Sequence, residues 1–434
     1  MFLFTELMAR IEAGGSVRVA LVGAGKFGSM FLAQVPTTPG LQVVIIADLD
    51  PEKARQSCRD VGWDEDRIAW TRFVEDGLAA ITPEVDVIIE ATGHPHAGIR
   101  HARAAIREGV HIIMVNVEAD VLAGASLAAE ARATGCVYSM AYGDQPALTA
   151  EMVEWARACG FRVMAAGKGT KYLPAYHAST PDSVWDHYGL SAEEAAEAGM
   201  NSKMFNSFLD GTKSALEMAA IANACDLMPP SDGLAFPPCG MDDLAQVLRP
   251  AEKGGVLEAE GMVEAVSSLN RDGSDVERDL RWGVYVVLEA PNDYAAACFR
   301  QYGMNTDTTG QFSAMYKPFH LIGLELNISV LAAGLLGRAT GSTRYFRSDV
   351  VATAKRAMPT GTRLDGEGGH SVWGKLIPAE RSLSLGGLPI GLAGDVNLIR
   401  QVKAGQMLTW DDIAWDEGDE IIRYRRAMEQ TGAS

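Results

Sequence analysis

Between residue 17 and about residue 167, short apolar runs rich in β-branched residues alternate with stretches of helical composition. The runs are 17–22, 41–47, 85–90, 111–115, 137–141 and 161–166. Strands buried on both faces read as near-continuous apolar runs, and their alternation with helices predicts an α/β protein built on a Rossmann-type doubly wound parallel sheet. Residues 97–108, ended by Gly109, and 119–133, ended by Gly135, have the alanine content and terminal glycine of helices. Leu3, Leu7, Met8 and Ile11 share one face of an N-terminal helix.

After Gly167 the pattern changes. Residues 192–224 read as helix with a break near Gly211, 229–250 are proline-rich, 284–288 form a strand, and 318–336 read as a long helix. Near Asp349 short β-prone pieces punctuated by glycines take over, and 417–430 close the chain as a helix. The expected segments are 1–165, the doubly wound α/β domain; 166–345, a mixed α+β domain; and 346–434, a small β-rich domain. Three domains agree with a length of 434 residues at about 150 per domain.

Composition narrows the function. A formal charge of −18 disfavours nucleic acid and anionic membrane as partners, so an anionic substrate needs a local cluster of Lys or Arg. The 6 cysteines show no CxxC pair, which fits reduced thiols in a cytoplasm. The stretch 319–337 carries His320 and Glu325, and its uncharged remainder is too short to span a bilayer.

The run 17–22 leads directly into Gly23-Ala24-Gly25-Lys26-Phe27-Gly28, and Asp48 follows Gly28 by 48 − 28 = 20 residues. Strand, glycine loop, helix, strand and acid in that order form the dinucleotide fingerprint. Gly23 makes the turn, Gly25 lets backbone approach a pyrophosphate, Gly28 lets helix pack on sheet, and the helix start with Lys26 and Phe27 presents N–H groups to phosphate. Asp48 suits an adenosine ribose and would face the 2′-phosphate of NADP. Two unit charges 4 Å apart cost about 4 kcal/mol at an effective dielectric near 20, so NAD(H) is favoured, with NADP(H) the alternative. Asp48 could instead cap the helix opened by Pro51, a role also open to Asp50.

Residues 116–120 (Asn-Val-Glu-Ala-Asp), 143–146 (Gly-Asp-Gln-Pro), 166–169 (Ala-Gly-Lys-Gly), 210–213 (Asp-Gly-Thr-Lys) and 217–224 (Glu-Met-Ala-Ala-Ile-Ala-Asn-Ala) resemble the homoserine dehydrogenase-like oxidoreductases. More closely they resemble the 1-deoxy-D-xylulose 5-phosphate reductoisomerase-like family, over most of the chain. That resemblance implies a homodimer with Rossmann, catalytic and C-terminal domains, and NADPH-dependent formation of methylerythritol phosphate in isoprenoid synthesis. Residues 351–365 with 402–409 look like an SAF domain of the β-clip type. Asp48 stands where an NADP-dependent member would carry a small or basic residue.

Loops beyond the strand ends hold the candidates for the reacting ring and substrate: Thr92 and Gly93 for the cofactor, and Asn116, Glu118 and Asp144 for the substrate. Glu118 and Asp120 also complement the dipole of a helix N-terminus. His94 and His96 bracket Pro95 without an evident third ligand, and the metal requirement stays open. Asp210, Lys213 and Glu217 place an ammonium and carboxylates on neighbouring turns, a grouping suited to moving the proton that accompanies hydride transfer. The homoserine dehydrogenase resemblance likewise implies a catalytic Asp and Lys at such a helix. Lys168 and Lys171, beside Gly169, supply positive charge for a carboxylate or phosphate; Lys168 is also a catalytic candidate, and Lys317 and His320 are secondary substrate candidates. The function expected is an NAD(P)-dependent oxidoreductase acting on a small anionic polyhydroxylated substrate. The alternatives are a catabolic homoserine- or sugar-acid-type dehydrogenase and a non-catalytic NAD-binding sensor.

Overall fold

Six strands, β1 (Val17–Val22), β2 (Leu41–Ala47), β3 (Arg72–Val74), β4 (Val87–Glu90), β5 (His111–Met114) and β6 (Tyr138–Met140), form one sheet in the order β3-β2-β1-β4-β5-β6. Every neighbouring pair is parallel, which is the doubly wound arrangement the apolar runs predict. The computed structural model describes residues 2–431; Met1 and Gly432–Ser434, the outer ends of the first and third expected segments, lie outside the described residues.

Backbone proximity divides the chain into two compact units, Met1–Glu151 with His320–Arg344, and Met152–Phe319 with Tyr345–Ser434. In the first unit α1 (Leu3–Glu12) buries Leu3 and Leu7 in the same core as Val17, Val19 and Leu21. The glycine loop feeds α2 (Lys26–Leu32). Next, α3 (Pro51–Asp60) is capped by Asp50, which accepts from the Lys53 N–H at 3.0 Å, so Asp48 is not needed as the cap. His94 opens α4 (Pro95–Arg107) as its N-cap residue, with Pro95 at the first helical position. Asn116 caps α5 (Val117–Thr134), accepting from Ala119 N–H at 3.0 Å, and Gly135 ends it in the left-handed region.

Residues 320–344 belong to the first unit for a specific reason. Met140 N–H donates to the Gly341 carbonyl at 2.8 Å and Tyr142 N–H to the Ser329 hydroxyl at 2.8 Å. Buried Asp120 accepts from the hydroxyls of Tyr138 and Thr343, each at 2.8 Å. The expected helix over 318–336 is shorter, Asn327–Leu336. Gly323, at φ +76°, turns the chain before it, in a space where a Cβ would lie 2.6 Å from that of Met30.

The second unit holds a four-stranded sheet, β10-β9-β7-β8, made of β7 (Arg162–Thr170), β8 (Met262–Ser267), β9 (Val284–Glu289) and β10 (Phe312–Lys317). The run 161–166, expected to continue the Rossmann sheet, starts β7 here instead. It pairs parallel with β8 and antiparallel with β9, a choice of partner that apolar content does not encode. Residues 192–224 break twice, giving Ala192–Glu197, α6 (Ser202–Leu209) and α7 (Thr212–Cys225). The β-prone C-terminal pieces form β11 (Ser348–Ala354), β12 (Arg363–Asp365), β13 (Val372–Pro378), β14 (Gly394–Leu398) and β15 (Ile413–Ala414), as one two-stranded and one three-stranded antiparallel sheet. Helix Glu420–Thr431 closes the described chain. Among the described residues no helix is long and apolar enough to cross a membrane.

Candidate functional site

The loop after β1 has the shape a dinucleotide needs. Gly23 sits at φ +95°, where a Cβ would come 2.7 Å from the Ala91 carbonyl, and a Cβ on Gly28 would lie 2.5 Å from the Gly23 carbonyl. Gly25 faces open space, with nothing within 4 Å of a Cβ placed there. Two glycines are therefore demanded by protein packing, while the third leaves room for a pyrophosphate against backbone. Asp48 reaches back from the end of β2: one carboxylate oxygen accepts from Ala24 N–H at 2.8 Å and the other from Asp50 N–H at 3.0 Å. The residues present fit a nicotinamide dinucleotide, with Asp48 fixed beside the loop. Lys26 is exposed at the start of α2, whereas Phe27 packs partly against the core.

Beyond β4, Thr92 and Gly93 are exposed, and the Thr92 hydroxyl donates to Glu90 at 2.5 Å. Sequence reading missed Glu90. It is wholly buried at the end of a central strand, contacts His101 Nδ1 at 3.2 Å, and keeps one carboxylate oxygen unpartnered. Asn116 is buried and engaged, its amide donating to the His94 carbonyl at 3.0 Å while its oxygen caps α5. It positions the 92–94 turn. Glu118 is half-buried in the first turn of α5, and buried Asp144 accepts from Gln145 N–H at 2.9 Å.

The second unit gathers the acid–base candidates. Lys168, on β7, donates to Glu217 on α7, and both side chains are buried. Asp210, between α6 and α7, is wholly buried and pairs with Lys355 at 2.8 Å. Burial pushes the Asp210 carboxyl up, while the Lys355 ammonium and the Thr212 N–H pull against it. Lys213 is half-buried in the first turn of α7. The cluster read from 210–217 is thus joined by Lys168, 49 residues before Glu217, and Lys355, 145 residues after Asp210.

The two lysines of the expected Lys168/Lys171 anion site have different partners. Glu217 compensates the charge of Lys168, and Lys171 donates to the His187 carbonyl instead of acting beside it. Lys171 and Arg281 both lie over the Tyr188 ring, at 5.5 and 5.9 Å from its centroid. Burial first and then Arg281 hold the Lys171 ammonium below its ordinary range. Lys171 and Arg281 thus share the Tyr188 ring, with Asp275 opposing Arg281 at Lys171. Lys317, whose ammonium lies 5.2 Å from the Phe319 ring, belongs to the second unit and His320 to the first. Among the described residues no group of three or more His, Cys, Asp or Glu side chains is arranged to hold a metal ion.

Residues 17–142 match the family model of an oxidoreductase family, NAD-binding Rossmann fold, and residues 143–326 match that of oxidoreductase DRL, catalytic domain. The chain carries the NAD(P)-binding Rossmann domain of an oxidoreductase. No curated protein matches it. Similar solved structures include a homoserine dehydrogenase from Thiobacillus denitrificans, 14% identical, with 74% of each chain covered and a TM-score of 0.43. Another is 1-deoxy-D-xylulose 5-phosphate reductoisomerase from Zymomonas mobilis in complex with NADPH, 17% identical, covering 47% of this chain and 56% of that one at a TM-score of 0.31. A third is a 3-ketoreductase from Actinomadura kijaniata, 15% identical, covering 37% of this chain at a TM-score of 0.27; the chain spans 50% of that protein's length. Likeness at these levels carries nothing about substrate.

Proposed function

We propose that the protein is an NAD(H)-dependent oxidoreductase acting on a small anionic hydroxy or oxo compound. The observation that carries this reading is the Asp48 carboxylate, held at 2.8 Å from Ala24 N–H beside the glycine loop. A carboxylate there accepts from ribose hydroxyls and repels a 2′-phosphate. When bound, the nicotinamide supplies the hydride donor or acceptor; the chain's own residues do the rest. Gly23, Gly25 and Gly28 shape the phosphate loop, and the Thr92–Gly93 turn is held by Glu90 and Asn116. Lys168, with Glu217 as its partner, holds the proton that a substrate oxygen gains on reduction or loses on oxidation. Lys171 and Arg281 attract the substrate's carboxylate or phosphate.

Titration of the purified protein with NADH and NADPH, followed by nicotinamide fluorescence, tests the cofactor reading. NADH should bind at least tenfold tighter, and tighter NADPH binding would remove Asp48 from the ribose. A second reading, reduction with isomerisation of deoxyxylulose phosphate, draws support from the match of residues 143–326 to the DRL catalytic domain. Assay of that compound with each cofactor decides it: no methylerythritol phosphate with either excludes the isoprenoid step. A non-catalytic sensor would bind NADH yet neither form NADH from NAD+ with any hydroxy acid nor consume it with any oxo acid or sugar phosphate.

A further inference from the structure

The second unit contains a pocket of about 190 Å³ to which the proposed reaction assigns no part. Its wall is aromatic. His177 stacks on Trp373 with ring centroids 3.8 Å apart, and Phe236 stands edge-on to His177 at 6.3 Å while stacking on Tyr172 at 3.9 Å. Gly211, Ala215 and Gly374 contribute to the lining without bulky side chains. At Gly211 a Cβ would lie 3.2 Å from the His177 ring and 3.4 Å from that of Phe236, so the space is kept open by the absence of a side chain.

His177 is held by both of its ring nitrogens. Its Nδ1–H donates to the Asp210 carbonyl at 2.7 Å, its Nε2 lies 3.0 Å from the Tyr172 hydroxyl, and burial lowers its pKa to about 4. Both ring nitrogens are engaged and the ring is neutral at pH 7, so it offers a flat face. The charge of the pocket comes from Lys375 and Asp232. Asp232 accepts from Lys375 at 2.9 Å and from Arg381 at 2.9 Å. Lys375 and Arg381 share the one Asp232 carboxylate, with Glu258 held on Ser231 beside it, and Lys375 is the cation that lines the pocket. An apolar cavity of about 150 Å³ is enough to hold benzene, and flat π faces favour a ring laid against them.

We propose that this pocket is a binding site for a small ring compound carrying one carboxylate, its ring against His177, Trp373 and Phe236 and its carboxylate on Lys375. The ring is either aromatic or the saturated ring of a sugar acid; the shared chemistry is one ring and one negative charge. Isothermal titration of the full chain with benzoate and with glucuronate distinguishes the two, with benzamide and methyl glucoside as neutral counterparts. One of the acids should bind with one-to-one stoichiometry and about tenfold more tightly than its neutral counterpart, as a charge-assisted hydrogen bond requires. Lys375→Met should reduce that acid to the affinity of the neutral compound, and Ala215→Leu, which fills the pocket without changing charge, should abolish binding. Saturating NADH should leave the acid's affinity unchanged. Near-ultraviolet circular dichroism verifies that each variant is folded; should Ala215→Leu fail to fold, Lys375→Met decides alone. Absence of binding by both acids, an unaltered affinity in Lys375→Met, or competition with NADH would overturn the proposal.

Discussion

Removal of the Lys355 side chain should cost the second unit heavily. Its ammonium donates to Asp210 at 2.8 Å, to the Ser179 carbonyl at 2.7 Å and to the Gly369 carbonyl at 2.7 Å. Side-chain exposure is 2% for Lys355 and 0% for Asp210. Lys355→Met leaves a buried carboxylate with the Thr212 N–H, at 2.9 Å, in place of its full cation. Breaking a buried pair by removing one partner costs about 3–5 kcal/mol, and each orphaned carbonyl adds about 1 kcal/mol or more. A loss of about 4 kcal/mol or more is therefore expected, which in a unit of this size lowers Tm by about 8 °C or more. The double variant Asp210→Asn/Lys355→Met, which also removes the stranded charge, should cost about 2 kcal/mol less than the sum of the single changes. Urea unfolding at pH 7, read by tryptophan fluorescence, measures all three. As a control, Arg363→Met breaks a pair with Asp395 whose side chains are 68% and 83% exposed and should change stability little. A cost below about 1 kcal/mol for Lys355→Met, or simple additivity in the cycle, would refute the account of the pair as a buried, mutually dependent unit.

Asp48→Ser removes the acceptor for Ala24 N–H and for a ribose; NADH affinity should fall about tenfold while NADPH affinity holds or rises, and an unchanged ratio in fluorescence titration would argue against ribose contact. Lys168→Met should lower kcat by roughly 10²-fold or more with NADH affinity retained, as for a lost proton-transfer group; Lys213→Met should do likewise if Lys213 takes part in the proton step, and full turnover would leave it only structural. Lys171→Met should raise KM for an anionic substrate about tenfold and spare kcat, and steady-state kinetics showing no change would place the anion elsewhere. Burial raises the Glu264 carboxyl to about 7 from its ordinary 4.5, although it accepts N–H groups from Ala235, Phe236 and Ala265. The native state then holds the proton more firmly than the unfolded chain, so this contribution is complete below about pH 4.5 and is lost as pH rises to about 7. Glu264→Gln should flatten that decline, on the order of 3 kcal/mol in all, in urea midpoints measured at pH 5 and pH 7.5; parallel pH profiles would refute it.

Local chemistry was legible in the residues themselves. The strand, glycine loop and Asp48 lie within 32 residues of one another, from Val17 to Asp48, and each step is dictated by backbone sterics that neighbouring residues set. The apolar runs likewise announced the parallel sheet, because a strand covered on both faces tolerates little else. Only the tertiary structure could decide which strand accepts β7, since an apolar run satisfies either sheet equally well, and where the segment after Pro318 returns, since hydrogen bonds from Met140 and Tyr142 settle that. The same holds for the charged groups. Asp210, Lys213 and Glu217 were visible as helix neighbours, yet the ammonium groups paired with Glu217 and Asp210 in the fold come from Lys168 and Lys355. A buried charge takes whichever opposite charge the packing brings within reach, and sequence spacing records only the partners one or two helical turns away.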